Sequence, residues 1–171
     1  MRMPGAAGGQ YESHQLTAAG RALWSGAAQI LSRRSMRPVV RVMTALHVAL
    51  YRCTGGRAQV PRYPTLLLTV TGRRTGQGRT VPLVYVEDGA DLVVAAAYAG
   101  SDRDPEWWLN LRHDPAAVVE IKGRRHAVRA EQAAPSDREH LWHRLVAMYP
   151  PFAEYQGRTT RQIPVVRLLP D

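Results

Sequence analysis

The chain has one cysteine, one lysine and one phenylalanine in 171 residues, and each scarcity excludes something. A lone Cys53 permits no intramolecular disulfide and no cysteine-based metal cluster, which fits a reducing, cytoplasmic setting. No run approaches the roughly 18 consecutive apolar residues of a membrane span, so no bilayer crossing is expected. The opening MRMPGAAGGQ lacks an apolar signal core, so export is not expected either. Rings are sparse as well, at 4 Trp, 7 Tyr and the single Phe, so a local gathering of them carries information. With 45% hydrophobic and 22% charged residues, the composition is that of one globular domain, not of a disordered, collagen-like or coiled-coil chain.

Acidic groups are scarce in one half only. Through Val86 there are 12 Arg against Glu12, a net of +11, whereas from Glu87 onward 11 basic groups meet 13 acidic ones, a net of −2. The front half therefore carries the whole excess of +9. Such asymmetry points to an anionic partner, and charge alone leaves nucleic acid, a membrane surface and a charged small ligand open. No RNA- or DNA-binding signature is present, so nucleic acid is not expected.

Residues 1–12 are small and polar and read as a flexible tail. From Ser13 to Tyr51 the composition favours two helical pieces divided at Pro38, in a segment extending to residue 55. Val39, Val42, Met43, Leu46 and Leu50 give the second piece an apolar stripe, with Arg33, Arg34, Arg37 and Arg41 at the join. This amphipathic helix suits either packing on its own domain or peripheral contact with an anionic membrane through residues 13–51.

Beyond the CTGG of residues 53–56 the pattern turns to strands: Thr65–Thr71, Val81–Glu87 and Leu92–Tyr98, expected as an antiparallel meander. Asp104-Pro105-Glu106 has the order of cap, first-turn proline and early acid ahead of the short helix WWLNLRH, and capping accounts for Asp102, Asp104 and Glu106. The pair AVVEIK and HAVRAEQ follows, joined at KGRR. Ser136 and Glu139 form a capping-box pattern before a helix from about Asp137 to Tyr149. Pro150-Pro151 ends that helix, YPPFAEY reads as loop, and Ile163–Leu169 closes as a strand. About six strands with helices between them make an α+β fold, most simply a small barrel with helices at its ends.

The most informative loop is TGRRTGQGR, Thr71–Arg79. Gly72, Gly76 and Gly78 allow backbone N–H groups to converge, while Arg73, Arg74 and Arg79 bring guanidinium forks suited to phosphate or carboxylate oxygens. The loop is neither a Walker loop nor a dinucleotide fingerprint, since no Gly-Lys-Ser/Thr is present and a strand follows. Spacing alone leaves an anion cradle and a hairpin turn with solvated arginines both open. Trp107-Trp108 and the group Tyr149, Phe152 and Tyr155 supply rings for a flat ligand or for core packing. Adjacent tryptophans on a helix point about 100° apart, so one is expected buried and the other at a rim. His140 and His143 lie at i and i+3 without a third ligand nearby, and no metal site is expected. Neither a G-x-S-x-G elbow nor a Cys/His nucleophile setting is present, which disfavours covalent hydrolysis.

The segments LLLTVTGRRTGQGRTVPLVYVEDG, DPEWWLNLRHDP and MYPPFAEYQGRTTRQIPVV, in this order and spacing, resemble the deazaflavin-dependent nitroreductase family over about residues 64–170. The resemblance implies a split β-barrel of the flavin-reductase type, with residues 56–171 as its cofactor-binding domain. It also implies a hydride donor, reduced coenzyme F420, and an electron-poor acceptor such as a quinone or nitroaromatic compound. By the same likeness, Arg73, Arg74, Thr75 and Arg79 match the loop that holds the cofactor's phosphate and acidic tail. Thr80, Val81, Pro82, Leu83 and Val84, then Ala95, Ala96, Ala97 and Tyr98, then Glu106, Trp107, Trp108, Leu109 and Asn110 match further cofactor-contacting segments. Tyr149, Phe152 and Tyr155 match an aromatic substrate wall, within which Tyr149 and Tyr155 are the candidate catalytic proton donors. Ala96-Ala97-Tyr98-Ala99-Gly100 stands where the family pattern reads Ala-Ser-Lys-Gly-Gly, which removes a hydroxyl and a cation. Phe152 replaces a wall tyrosine and removes a second hydroxyl. Two further readings of the same arginines are an FMN-binding split barrel and a non-enzymatic basic module for a cofactor, lipid or nucleic acid.

Overall fold

The computed structural model describes residues 63–171 together with Leu46, Val48, Ala49, Tyr51 and Cys53. Seven strands make one antiparallel sheet: β1 (Thr65–Thr71), β2 (Gly78–Val84), β3 (Val86–Asp88), β4 (Asp91–Ala95), β5 (Ala116–Ile121), β6 (Arg124–Gln132) and β7 (Val165–Pro170). Their order is β2-β1-β5-β6-β7-β4-β3. Only Tyr85 separates β2 from β3, the two ends of that order. Two Cα spacings reach at most roughly 7 Å, so the two edges lie side by side and the sheet curls into a split barrel.

Side chains alternate across the pleat, and one face of every long strand fills the barrel. Leu66, Leu68 and Val70 of β1 meet Ala117 and Val119 of β5, Val128 and Ala130 of β6, and Val166 and Leu168 of β7. Val81 and Leu83 of β2 pack against the same cluster, which helix α1 (Glu106–Leu111) joins through Trp107, Trp108 and Leu111. Outside the barrel, Val93, Ala95 and Val165 bury against Leu141 and Leu145 of α2 (Pro135–Met148) and Phe152 of α3 (Pro151–Gly157). Ion pairs pin this layer: Arg167 holds Asp91 at 2.6 Å and Asp88 at 2.9 Å, and Arg144 of α2 also reaches Asp88.

Several expectations are corrected by this architecture. The second strand begins at Gly78 and breaks at Tyr85, which makes seven strands where six were expected; β1 pairs with β2 and β3 with β4, all antiparallel, so the expected meander of the first strands runs through that break. The third strand stops at Ala95, because Tyr98 and Ala99 take left-handed backbone. YPPFAEY is not a loop: Pro151 occupies the first turn of α3, where its missing N–H has no partner to lose, so one proline pair ends a helix and opens the next. Ser136 and Glu139 do not form a capping box, since the helix starts two residues earlier, at Pro135, and the Ser136 hydroxyl meets Asp137. Asp104 does not cap α1 either, because Pro105 holds the cap position. The β5–β6 hairpin turns as expected, at left-handed Lys122 and Gly123.

The expected division into residues 1–12 and 13–55 lies almost wholly outside the described residues. Leu46, Val48, Ala49, Tyr51 and Cys53 are helical, so Cys53 is not in a loop. Tyr51 is fully buried, and its hydroxyl donates to Thr65 O at 3.2 Å and accepts from Lys122 N–H at 3.1 Å, tying this helix to β1 and the β5–β6 turn. Leu46 of the expected apolar stripe is 64% exposed. No helix among the described residues is long and apolar enough to cross a membrane.

Candidate functional site at the barrel rim

The strand directions gather the chemistry at one end. β1 and β4 run the same way through the antiparallel order, so the β1–β2 loop, residues 72–77, and the β4–α1 connection, residues 96–105, leave from the same rim. The α3–β7 connection, residues 158–164, enters the sheet there too.

The arginine loop closes on itself. Gly72 N–H donates to Gln77 O, while Thr75 and Gly76 N–H both donate to Gly72 O, and Gly76 takes φ +66°, a conformation that costs a glycine little. Arg73 N–H and its Nη1 both reach Asn110 Oδ1, at 3.2 and 2.8 Å, and Nη1 also reaches Glu106 Oε2 at 2.7 Å. The backbone donors of Gly72, Arg73, Thr75 and Gly76 are thus engaged within the protein, in contrast to a converging backbone cradle. Free cationic reach is left to the exposed side chains of Arg74 and Arg79, the latter touching Gln77 at 3.3 Å. A guanidinium pair of this kind fits phosphate or carboxylate oxygens.

Other expected contact residues divide by face. Val81 and Leu83 pack in the barrel cluster, and Val84 lies in the outer cluster with Ala95 and Ala97. Thr80 shares a 2.9 Å hydrogen bond with Thr69, Pro82 and Leu109 are half-buried, and Ala96 belongs to the interior. Trp107 and Trp108 are both buried, 7% and 4% exposed, against the expectation that one would border the rim: α1 lies along the barrel mouth, and both faces meet core. His140 and His143 are exposed on α2, and no group of three metal-ligating side chains occurs among the described residues.

Tyr149, Phe152 and Tyr155 do come together, with Tyr149 4.9 Å from Phe152 and 6.4 Å from Tyr155 between ring centroids. Tyr63 stands edge-on to Tyr149 at 4.9 Å, and Trp142 lies 6.1 Å from Phe152. Neither Tyr63 nor Trp142 was marked by spacing. Burial first, and then a hydrogen bond with Tyr155, push the Tyr149 hydroxyl well above the ordinary tyrosine range. Burial raises Tyr85 in the same direction, followed by the charge of Glu87 and by Tyr51. Arg158 lies 5.6 Å over the Tyr155 ring, and its Nη1 is buried with no hydrogen-bond partner among the described residues.

The arginine loop and the aromatic wall are joined by the segment between β4 and α1. Its near end is α1, held by Arg73 through Asn110 and Glu106. Its far end is Gly100, whose φ is +79° and where a Cβ would stand 2.6 Å from Tyr155 O, so only glycine lets this turn lie on α3. Tyr98 (φ 46°) and Ala99 (φ 54°) precede it, and left-handed backbone at such residues costs roughly 1–2 kcal/mol each. Asp102 accepts from Thr159 at 2.8 Å and Asp104 pairs with Arg161 at 3.0 Å, the contacts that replace the expected capping roles. The donor set suits an elongated anion with a flat ring: uncommitted guanidinium groups at one end, an orphaned buried donor and stacked rings at the other.

Comparison with known proteins gives this rim a context. The model of the family described as F420H(2)-dependent quinone reductase matches residues 43–170. An F420H(2)-dependent quinone reductase of Mycobacterium tuberculosis is 36% identical over 144 residues, which cover 81% of this chain and 97% of that protein. Among solved structures, an F420-H2 dependent reductase is similar at a TM-score of 0.57 and 35% identity, covering 61% of this chain and 93% of that one. Another, described as a domain-swapped dimer, is similar at a TM-score of 0.60 and 32% identity, covering 77% and 98%.

Proposed function

The chain belongs to the F420H(2)-dependent quinone reductase family, and from that premise we propose how this rim performs the reaction. Arg74 and Arg79 would hold the phosphate and acidic tail of coenzyme F420 through their guanidinium groups, and Tyr98 and the aromatic wall would hold its ring. When bound in reduced form, it supplies a hydride. Arg73 stays with Asn110 and Glu106, so its part is to hold the loop against α1.

The protein's own residues align the acceptor, exclude water and manage one proton. A quinone that gains a hydride becomes a quinol anion, which needs one proton to become the quinol. Tyr149 is packed by the rings of Tyr63, Phe152 and Tyr155, and burial holds its hydroxyl proton, which leaves the Tyr155 O–H as the one offered to the acceptor oxygen. Tyr155 is therefore the proton donor and Tyr149 the group that orients it. Arg158, over the Tyr155 ring and ion-paired with Glu154 at 3.5 Å, keeps its buried Nη1–H donor on this side of the wall for the developing anion. Phe152 supplies ring area only. Acceptors extend to nitroaromatic compounds, because the wall recognises flat, electron-poor rings by stacking and not by one fixed polar group. Residues 13–51, apart from the buried Tyr51, contact anionic membrane, where apolar quinones reside; vesicle flotation of the full-length protein tests this, and full-length protein left in solution contradicts it.

The observation that supports the reading is the chain of contacts from Arg73 through α1 and Gly100 to Tyr155, which links the arginine loop to the aromatic residues. Anaerobic oxidation of F420H2 against a panel of quinones and nitroaromatics tests it, with separate fluorescence titrations of F420 and FMN. Quinone-dependent oxidation and tighter binding of F420 are expected. Tighter FMN binding, or no turnover with any quinone, contradicts the reading.

A further inference from the structure

The side chain that reaches most of the rim, Arg161, is neither a cofactor-loop arginine nor a residue of the aromatic wall. Arg161 sits in the α3–β7 connection with a side chain 17% exposed. Its Nε–H donates to Ser101 O at 2.8 Å and its Nη1 to Asp104 Oδ1 at 3.0 Å. Its Nη2 donates to Ala96 O at 3.0 Å and to Ala97 O at 2.9 Å. One guanidinium thus clasps three backbone carbonyls and a carboxylate at both ends of the left-handed run Tyr98-Ala99-Gly100.

We infer that Arg161 is a positioning residue for the reaction: it fixes the course of residues 96–104 and so sets the Tyr98 segment in register with the aromatic wall. The inference rests on the reading of the rim given above. A trans peptide is planar, so fixing the carbonyls of Ala96 and Ala97 also fixes the direction of the two following N–H groups. Both peptides are locked just before the backbone enters a conformation that L residues avoid. On the far side Gly100 rests on the Tyr155 carbonyl, and Gln156 of α3 bonds the Arg161 carbonyl at 2.8 Å. The same arginine is therefore anchored to the helix that bears the wall. Lysine does not substitute, because an ammonium is one point charge and the four acceptors are spread over residues 96–104.

The test uses the full-length protein and its R161K and R161A variants, with F420 affinity read by fluorescence titration and local order read by hydrogen exchange of residues 96–104. Both variants are expected to bind F420 at least tenfold more weakly and to exchange faster in this segment. Millimolar guanidinium is expected to restore much of the affinity of R161A and little of that of R161K. D91N, which removes one of the two close carboxylate partners of Arg167 on the other layer, serves as the stability control and is expected to lower Tm without changing affinity or protection at 96–104. D104A removes one of the four acceptors and is expected to act in the same direction by a few-fold, which keeps the test alive if the Arg161 variants do not fold. Parental affinity and protection in R161K overturn the inference, as does an affinity loss in D91N that matches R161A. Failure of the unaltered protein to bind F420 would count against the proposed function instead; hydrogen exchange would then still decide the role of Arg161.

Discussion

The two arms of the rim are prepared for ligands in opposite ways. In the arginine loop the backbone donors are satisfied internally and the charge is presented on exposed side chains, whereas the aromatic wall is packed ring against ring with its hydroxyls coupled. A loop of the first kind recognises charge and tolerates variation in its ligand's length, and its strength depends on salt. A wall of the second kind recognises shape and holds a proton in place, and ionic strength leaves it unaffected. The difference separates cofactor capture from chemistry, and each arm is open to independent disruption.

The largest effect is expected from the loop. Removing both free guanidinium groups in R74A/R79A should weaken F420 binding about 100-fold, at about tenfold for each exposed charge-assisted contact, with the quinone KM unchanged. Fluorescence titration and steady-state kinetics check this, and a shifted quinone KM would merge the two arms. Next comes the wall: Y155F should lower kcat by about tenfold or more with F420 affinity unchanged, and Y149F should lower it less, because Tyr149 acts through Tyr155. Equal losses in the two variants would remove the division of roles.

A smaller effect separates the arms without mutation. Raising salt from 50 to 500 mM should weaken F420 affinity several-fold while leaving the quinone KM in place. The smallest concerns stability. The folded state holds the Tyr149 proton more tightly than the unfolded chain does, so its contribution is fully present below about pH 10, the unfolded value, and is lost as pH rises above it. Tm should therefore fall more steeply above pH 10 in the unaltered protein than in Y149F, and parallel curves would contradict the burial of that hydroxyl.

How much of this was legible in the sequence depends on the range of the interaction. Apolar runs bounded by turn residues marked β1, β5 and β6, and the arginine loop stood out by local density. The split of the second strand at Tyr85 did not show, because a break between two edges of a closing sheet is set by partners elsewhere, not by local propensity. YPPFAEY misled because proline ends one helix and begins another with the same residue type. Asp104 looked like a cap because its position allowed it, yet Arg161, 57 residues away in sequence, claims it. Tyr63 carried no signal at all, since its ring acquires meaning only when Tyr149 is brought beside it. The three motifs were readable one by one, while Arg161, the residue that clasps the segment between them, was not.

The central claim is that the front-half arginine excess resolves, at the rim, into Arg74 and Arg79 as receptors for an acidic cofactor tail. Titrating the unaltered protein and R74A/R79A with F420 and with the deazaflavin riboside lacking phosphate and tail measures it directly. The account predicts that the unaltered protein prefers F420 by about 100-fold and that the variant binds the two nearly alike. Equal affinity of the unaltered protein for both ligands, or a preference that survives in the variant, would contradict it.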